Sequence, residues 1–199
     1  MKFILASKSP RRRELLCEII PEFEIITADT DEQLPKGTPV DRGVEILAVR
    51  KGEAVYRELV GKGFDLSQTV IISSDTLVAY GGAPLGKPVD EEDAHRMLKT
   101  LSGRTHQVHT GVAVRLGDAV FSGVDTTLVT FAEIDDGQIW EYIKTGEPMD
   151  KAGAYGIQGE GGKFVKEFVG EYDTVVGLSL KLTKKLLREI EDFYDKREK

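Results

Sequence analysis

The chain of 199 residues has one cysteine, one tryptophan, three histidines and no long apolar run. Each scarcity excludes something. Cys17 has no second cysteine to bridge to, which rules out an internal disulfide and a four-thiolate zinc site; a reducing compartment fits. The apolar stretch Phe3 to Ala6 falls short of the ~7–15 residues of a signal-peptide core. No segment approaches the ~20 apolar residues that span a bilayer. The expectation is a soluble, cytoplasmic protein. His106 and His109 lack a third ligand at zinc spacing, and Cys17 lacks a histidine partner nearby in sequence, so structural or exposed positions are expected for all three. A Gly-x-Ser-x-Gly elbow and the glycines of a Walker loop are missing. Basic charge is short as well: 27 Lys+Arg against 34 Asp+Glu give a net charge of −7. That argues against a general nucleic-acid coat, but leaves room for one small anionic ligand in a local basic pocket. With no repeats, linker or low-complexity stretch, residues 1–199 read as a single domain.

What is present is enough apolar sequence, 40% of residues, to build a core. Short apolar runs alternate with stretches of helical period, the pattern of an α/β protein with mixed strand directions. A strand is predicted at Phe3–Ala6. A helix follows, capped by Ser9 with Pro10 at its first position and Leu15, Leu16, Ile19 and Ile20 inward. Further strands are predicted from Phe23 to Thr27 and over Val70-Ile71-Ile72, the latter ending in Ser73-Ser74-Asp75-Thr76. A helix is expected from Val44 to Val60. A hairpin turns at Gly81-Gly82, and Asp90 caps a helix. Long strands from Val108 to Leu116 and from Val120 to Phe131 meet at Gly117-Asp118. Asp136 is expected to cap a helix bearing Ile139, Trp140 and Ile143. After a glycine-studded loop at 146–162 come strand candidates at 164–169 and 173–178. A final amphipathic helix carries Leu182, Leu186, Leu187, Ile190 and Phe193, with fraying expected from Asp195.

Chemistry concentrates at a few points. Ser7-Lys8-Ser9-Pro10-Arg11-Arg12-Arg13 joins a strand to a helix N-terminus, where unpaired N–H groups and the helix dipole favour phosphate. The same residues also suit a capped surface helix with solvated arginines. Asp75 leaves a buried strand at the place where α/β sheets hold ligands, and could take a proton from water or bind a metal; a turn-capping aspartate is the plainer reading. Glu32, in the acidic loop from Asp29 to Pro39, could complete a magnesium site or simply be solvated. Lys51 shares a helical stripe with Leu47 and Val55, so it either snorkels or reaches into a site. Lys87 sits in the rigid turn Gly86-Lys87-Pro88, within reach of a phosphate or in solvent. In Asp150 to Gly159, three glycines allow close approach to a ligand, and Gln158 offers the paired donor and acceptor that read a base edge.

Five stretches, Leu5 to Arg12, Ser74-Asp75-Thr76, Gly86-Lys87-Pro88, Leu101 to His106 and Asp150 to Gly159, together resemble the Maf family of nucleoside triphosphate pyrophosphatases, in that family's order and spacing over nearly the whole chain. The resemblance implies a mixed, strongly twisted α/β sheet flanked by helices, in two lobes around a cleft, similar to the inosine triphosphate pyrophosphatases. It implies hydrolysis of nucleoside triphosphates to monophosphate and pyrophosphate with a divalent cation such as Mg²⁺ or Mn²⁺. By the same resemblance Asp75 is the proton acceptor. Ser7, Ser9, Arg11 or Arg12, Lys51 and Lys87 face phosphate, and Glu32 with Asp75 serves the metal. Arg11, Thr76 and Gln158 match the branch that acts on dTTP and UTP, modified pyrimidine forms included, whereas the 7-methyl-GTP branch carries Trp, Gln and Glu there. One departure is Ser179, where the family's closing motif usually has Pro; a serine can still cap the last helix. A homodimer is compatible with this reading. The competing class is a non-catalytic nucleotide sensor acting on cell division or septum formation, which would keep the clamp and the base-reading loop but has no need of Asp75 as a base.

Overall fold

The structure, a computed structural model, describes residues 1–197. In chain order it contains β1 (Lys2–Leu5), α1 (Pro10–Cys17), β2 (Glu24–Ile25), α2 (Val40–Gly61), β3 (Thr69–Tyr80), β4 (Ala83–Leu85), α3 (Glu91–Leu101), β5 (Thr105–Leu116), β6 (Ala119–Phe131), α4 (Asp136–Ile143), β7 (Val165–Val169), α5 (Tyr172–Val176) and α6 (Leu180–Arg197). The sheet runs in the order β2-β1-β3-β5-β6-β7, with β4 beside β3. Pairing is parallel for β1 with β2 and β3, and antiparallel for β3 with β4 and for β6 with β7. This is the mixed α/β class that the alternating pattern predicts.

The chain forms two compact units, and β3, β5 and β6 each contribute residues to both. Unit 1 comprises Met1–Asp75, Thr110–Asp125 and the chain from Gly177 on. Here β1 pairs with β3 in the register Phe3↔Val70 and Leu5↔Ile72. Val55 and Leu59 of α2 pack on Ile4, Ala6 and Ile71. Two side-chain-free positions let α2 lie directly on the strands. A Cβ at Gly111 would fall 2.5 Å from the Val44 carbonyl oxygen, and one at Gly52 would fall 2.8 Å from Ser73 Oγ.

Unit 2 comprises Thr76–His109 and Thr126–Val176. Its core is aromatic-rich: Phe131, Tyr142, Tyr155 and Phe164 pack with Leu98, Leu101 and Ile139. Edge-to-face contacts link Phe131 with Tyr155 (4.7 Å) and Tyr142 with Phe164 (5.2 Å), the arrangement that ring quadrupoles favour.

Several boundaries differ from the sequence expectation, each for a physical reason. β3 does not end at Ile72 but continues to Tyr80, so Asp75 lies within the strand. The polar run survives because Ser73 Oγ donates to the Ala48 carbonyl (2.7 Å) and Ser74 Oγ to that of Gly177 (2.9 Å), leaving no buried hydroxyl unpaired there. The strand expected at 173–178 is instead the short helix α5, bounded by Gly170 and Gly177 at φ 131° and 126°. A run this short carries no period long enough to separate the two states. The cap of α4 is Asp135, not Asp136: it and Gln138 form a reciprocal capping box, and Asp136 pairs with Lys99. Trp140 lies half-exposed against His95, while Tyr142 takes the inward place. β2 shrinks to two exposed residues, Glu24 and Ile25, and α2 starts at Val40. α1 ends at Cys17, before Ile19 and Ile20. α6 runs through Asp195 to Arg197, and Ser179 Oγ accepts from Leu182 N–H (3.2 Å), so the serine does cap this helix.

His106 and His109 are buried structural residues, and Cys17 is exposed. His106 Nε2 shares a 2.8 Å hydrogen bond with the Tyr155 hydroxyl. Burial pulls its imidazole down to about 4 from the ordinary 6.5. Below pH 6.5 the unfolded chain therefore takes up a proton that the folded chain refuses until about pH 4, and stability falls across that window. The full effect is about 3 kcal/mol. Urea midpoints at pH 7 and pH 4.5 should differ less in His106→Phe, which cannot titrate, than in the parent chain. An unchanged difference would locate the acid sensitivity elsewhere.

Candidate functional site

Strand alternation organises the centre of unit 1. Ser73 and Asp75 point to the face covered by α2, and Ser74 to the opposite face. On α2, Ala48 and Lys51 are one turn apart and so share a side. The Ser73 hydroxyl holds the Ala48 carbonyl, Gly52 keeps the approach close, and Lys51 is thereby carried to Asp75. Lys51 Nζ donates to Asp75 Oδ1 and sits 2.9 Å from Glu32 Oε1. The Asp75 and Lys51 side chains keep 12% and 20% exposure, against 63% for Glu32. Two carboxylates from distant segments thus meet on one ammonium.

Glu32 is delivered by a loop that the sequence reading left without an anchor. Arg50, beside Lys51 on α2, donates through Nη1 to the carbonyls of Asp31 (3.2 Å) and Gln33 (2.7 Å), which flank Glu32. The Asp31 carboxylate closes the turn by accepting from Gln33 N–H (2.9 Å).

The first helix provides the other wall. Ser9 is the N-cap of α1 with Pro10 behind it, and its Oγ accepts from Arg12 N–H (3.4 Å). Arg12 turns back: Nε donates to the Gly177 carbonyl (2.8 Å) and Nη1 to Ser7 Oγ (3.4 Å), which also accepts from Ser9 N–H. Burial lowers the Arg12 guanidinium below its ordinary range, opposed by the charge of Asp75, assisted by Arg11, and opposed again by Glu32. A cavity of about 300 Å³ opens here, lined by Ser7, Lys8, Arg12, Glu32 and Lys51 together with Thr27 to Thr30. Three cations around a helix N-terminus suit a polyanion.

Of the residues singled out from sequence, Ser7, Ser9, Arg12, Glu32, Lys51 and Asp75 are thus joined in unit 1, which also holds the half-buried Arg11. Thr76, Lys87 and Gln158 belong to unit 2. Thr76 is half-buried on β3, Lys87 is exposed in its turn, and Gln158 is exposed on the glycine-rich loop. Gly153 N–H donates to the Gly86 carbonyl (3.0 Å), which ties the Lys87 turn to the start of that loop. Sequence reasoning gave no role to Arg50, Ser73, Ser74 or Gly177. The adjacency of Arg50 to Lys51, and the place of both serines in the polar run before Asp75, were the available signals.

A divalent cation fits this arrangement in one form only. Among the described residues no three His, Cys, Asp or Glu side chains cluster as a complete protein cage. Magnesium keeps most of its water and takes one or two carboxylates plus substrate phosphate oxygens, and the pair Glu32 and Asp75 matches that demand.

Known proteins resemble this chain over most of its length. The family model described as Maf-like protein matches residues 2–190. A dTTP/UTP pyrophosphatase of Thermococcus kodakarensis is 49% identical over 92% of this chain and 94% of its own length. One from Clostridium beijerinckii is 46% identical over 96% of this chain and 100% of its own. One from Bacillus velezensis is 44% identical over 94% and 96%. A match that takes in every strand and reaches residue 190 of the last helix leaves one conclusion: the chain belongs to the Maf-like protein family.

Proposed function

We propose that this protein hydrolyses nucleoside triphosphates, dTTP and UTP first among them, to the monophosphate and pyrophosphate. The observation that carries the proposal is the Lys51 ammonium joining Asp75 to Glu32 at the edge of a cavity lined by Arg12 and Ser7. Relatives named for this activity at 44–49% identity support it. In this reading 1–199 acts as one catalytic domain. Triphosphate oxygens engage Ser7, Ser9, Arg12, Lys51 and Lys87. Asp75 takes the proton of the attacking water, whose oxygen bonds to the α-phosphorus while the bond to the bridging oxygen breaks and pyrophosphate leaves. Lys51 and Arg12 offset the charge that accumulates on the phosphate oxygens. A divalent cation, Mg²⁺ or Mn²⁺, held by Glu32 and Asp75, would supply Lewis-acid polarisation of those oxygens.

Arg11, Thr76 and Gln158 set base selectivity, and modified pyrimidine triphosphates fall within the same reading. In this reading the enzyme works in the cytoplasm on a small nucleotide, with neither nucleic acid nor membrane as a partner. Among the described residues no helix is long and apolar enough to cross a membrane. A homodimer is compatible with it. Incubating the protein with Mg²⁺ and each of dTTP, UTP, CTP, ATP and GTP should release pyrophosphate, fastest from the first two. Orthophosphate as product would move the point of attack to another phosphorus, and no turnover with any nucleotide would favour a sensor.

A further inference from the structure

The glycine-rich loop that carries Gln158 has an acidic centre. Tyr142, buried on α4, donates its hydroxyl to Glu147 Oε1 (2.8 Å) and accepts from Gly156 N–H (3.2 Å). Glu147 Oε1 also accepts from Gly161 N–H (3.3 Å), and Oε2 from Glu160 N–H (3.0 Å). The loop from Gly156 to Gly161 therefore folds around one carboxylate, with Gln158 at its exposed crest. Its glycines are what permit the wrap: a Cβ at Gly159 would land inside the Glu147 carboxylate, and one at Gly161 would fall 2.5 Å from the Tyr142 oxygen. Lys151 closes the base by donating to the Glu147 carbonyl (2.7 Å) and to Asp150 (2.6 Å). Burial alone would raise the Glu147 carboxyl. Hydrogen bonds from Glu160, Tyr142 and Gly161, with the charge of Lys151, outweigh it and hold the group below the usual carboxylate range. Burial and the same hydrogen bond push the Tyr142 phenol up, so it stays a donor.

We propose that Glu147 is a positioning residue for base selectivity, its carboxylate fixing the loop conformation in which Gln158 presents its amide to a pyrimidine edge. The proposal rests on the reading of Gln158 as a base-contacting residue. An exposed amide on a free glycine loop would sample many orientations, and each uncommitted orientation lowers discrimination between UTP and CTP. A loop tied at Gly156, Glu160 and Gly161 presents one.

Glu147→Gln tests this with almost no change of shape. An amide supplies one acceptor oxygen and an NH₂ group. Whichever way it turns, the Glu160 or the Gly161 N–H faces a donor and loses its partner. The expected result is a fall of about tenfold or more in the ratio of kcat/KM for UTP over CTP, carried mainly by a higher KM for UTP. Damage to folding alone would lower kcat for both nucleotides together and leave the ratio in place.

Gly159→Ala serves as the second variant. It keeps the carboxylate but forces the tethered group and the loop apart, and the ratio should fall in it also, which decides the matter if Glu147→Gln does not fold. Gln158→Glu is measured alongside. If that variant loses selectivity while Glu147→Gln and Gly159→Ala retain it, the positioning role is overturned and the base-reading role of Gln158 stands. If Gln158→Glu leaves the ratio unchanged, the reading of Gln158 fails and the role of Glu147 with it.

Discussion

Asp75→Asn should slow pyrophosphate release from UTP by ~10²–10⁴-fold, the usual cost of removing a general base, while UTP still binds. The substitution isolates one property. Asparagine has the shape of aspartate, and its carbonyl can still accept from Lys51, so the α2–β3 contact through Ser73 and Ala48 has no reason to move. What disappears is the capacity to take a proton from water. Neighbouring cations will remain in place: Arg12 is tied to Ser7 and to the Gly177 carbonyl independently of Asp75. Titration calorimetry with UTP should give a Kd within about tenfold of the parent chain, since one exchanged contact among several phosphate contacts is worth ~1 kcal/mol. Turnover within a few-fold of the parent would remove Asp75 from the base position. A loss of binding as large as the loss of rate would make it a ligand-holding group instead.

How far sequence could lead to this site depends on the kind of interaction involved. Helix α1 was legible because its signals are local: a serine cap, proline at the first turn, and arginines on the turn behind. Lys51 was legible as an anomaly, a cation on the apolar stripe of α2, and its partner Asp75 as the acid that follows a β-branched run. The position of Asp75 inside β3 was not legible. Two consecutive serines read as a strand end, and only tertiary contacts to Ala48 and Gly177 satisfy their hydroxyls. Glu32 shows the same division. Its loop is acidic and irregular in sequence, and the arginine that fixes it lies 17 to 19 positions away on another element. The glycines of the Gln158 loop were visible, but not the Glu147 carboxylate that they make room for. In each case the residue bearing the chemistry had a sequence signal, and the contact holding it in place had none.

Base selectivity is where the second large effect is expected. Uracil and thymine present an N–H donor between two carbonyl acceptors. A glutamine can accept from that N–H with its carbonyl and donate to one of the oxygens with its NH₂, so Gln158 matches both atoms with a single neutral group. Cytosine has no proton on N3 and carries an amino group in place of one oxygen. With the amide held in that orientation and not turned over, the glutamine carbonyl would face a lone pair, and the NH₂ would face another donor. A site built for one hydrogen-bond pattern rejects the analogue that breaks it by as much as ~10⁴-fold. The parent chain should therefore turn over dTTP and UTP far ahead of CTP, ATP and GTP. Gln158→Glu removes the donor half of the match and adds a negative charge, so kcat/KM for UTP should drop while ATP, whose base edge has no N–H beside a carbonyl, changes less. The preference narrows from the UTP side. Steady-state kinetics across the five nucleotides reads both effects in one experiment. If GTP or 7-methyl-GTP rivals UTP in the parent chain, the assignment of Arg11, Thr76 and Gln158 to pyrimidine selectivity is wrong, whatever becomes of the pyrophosphate chemistry at Asp75.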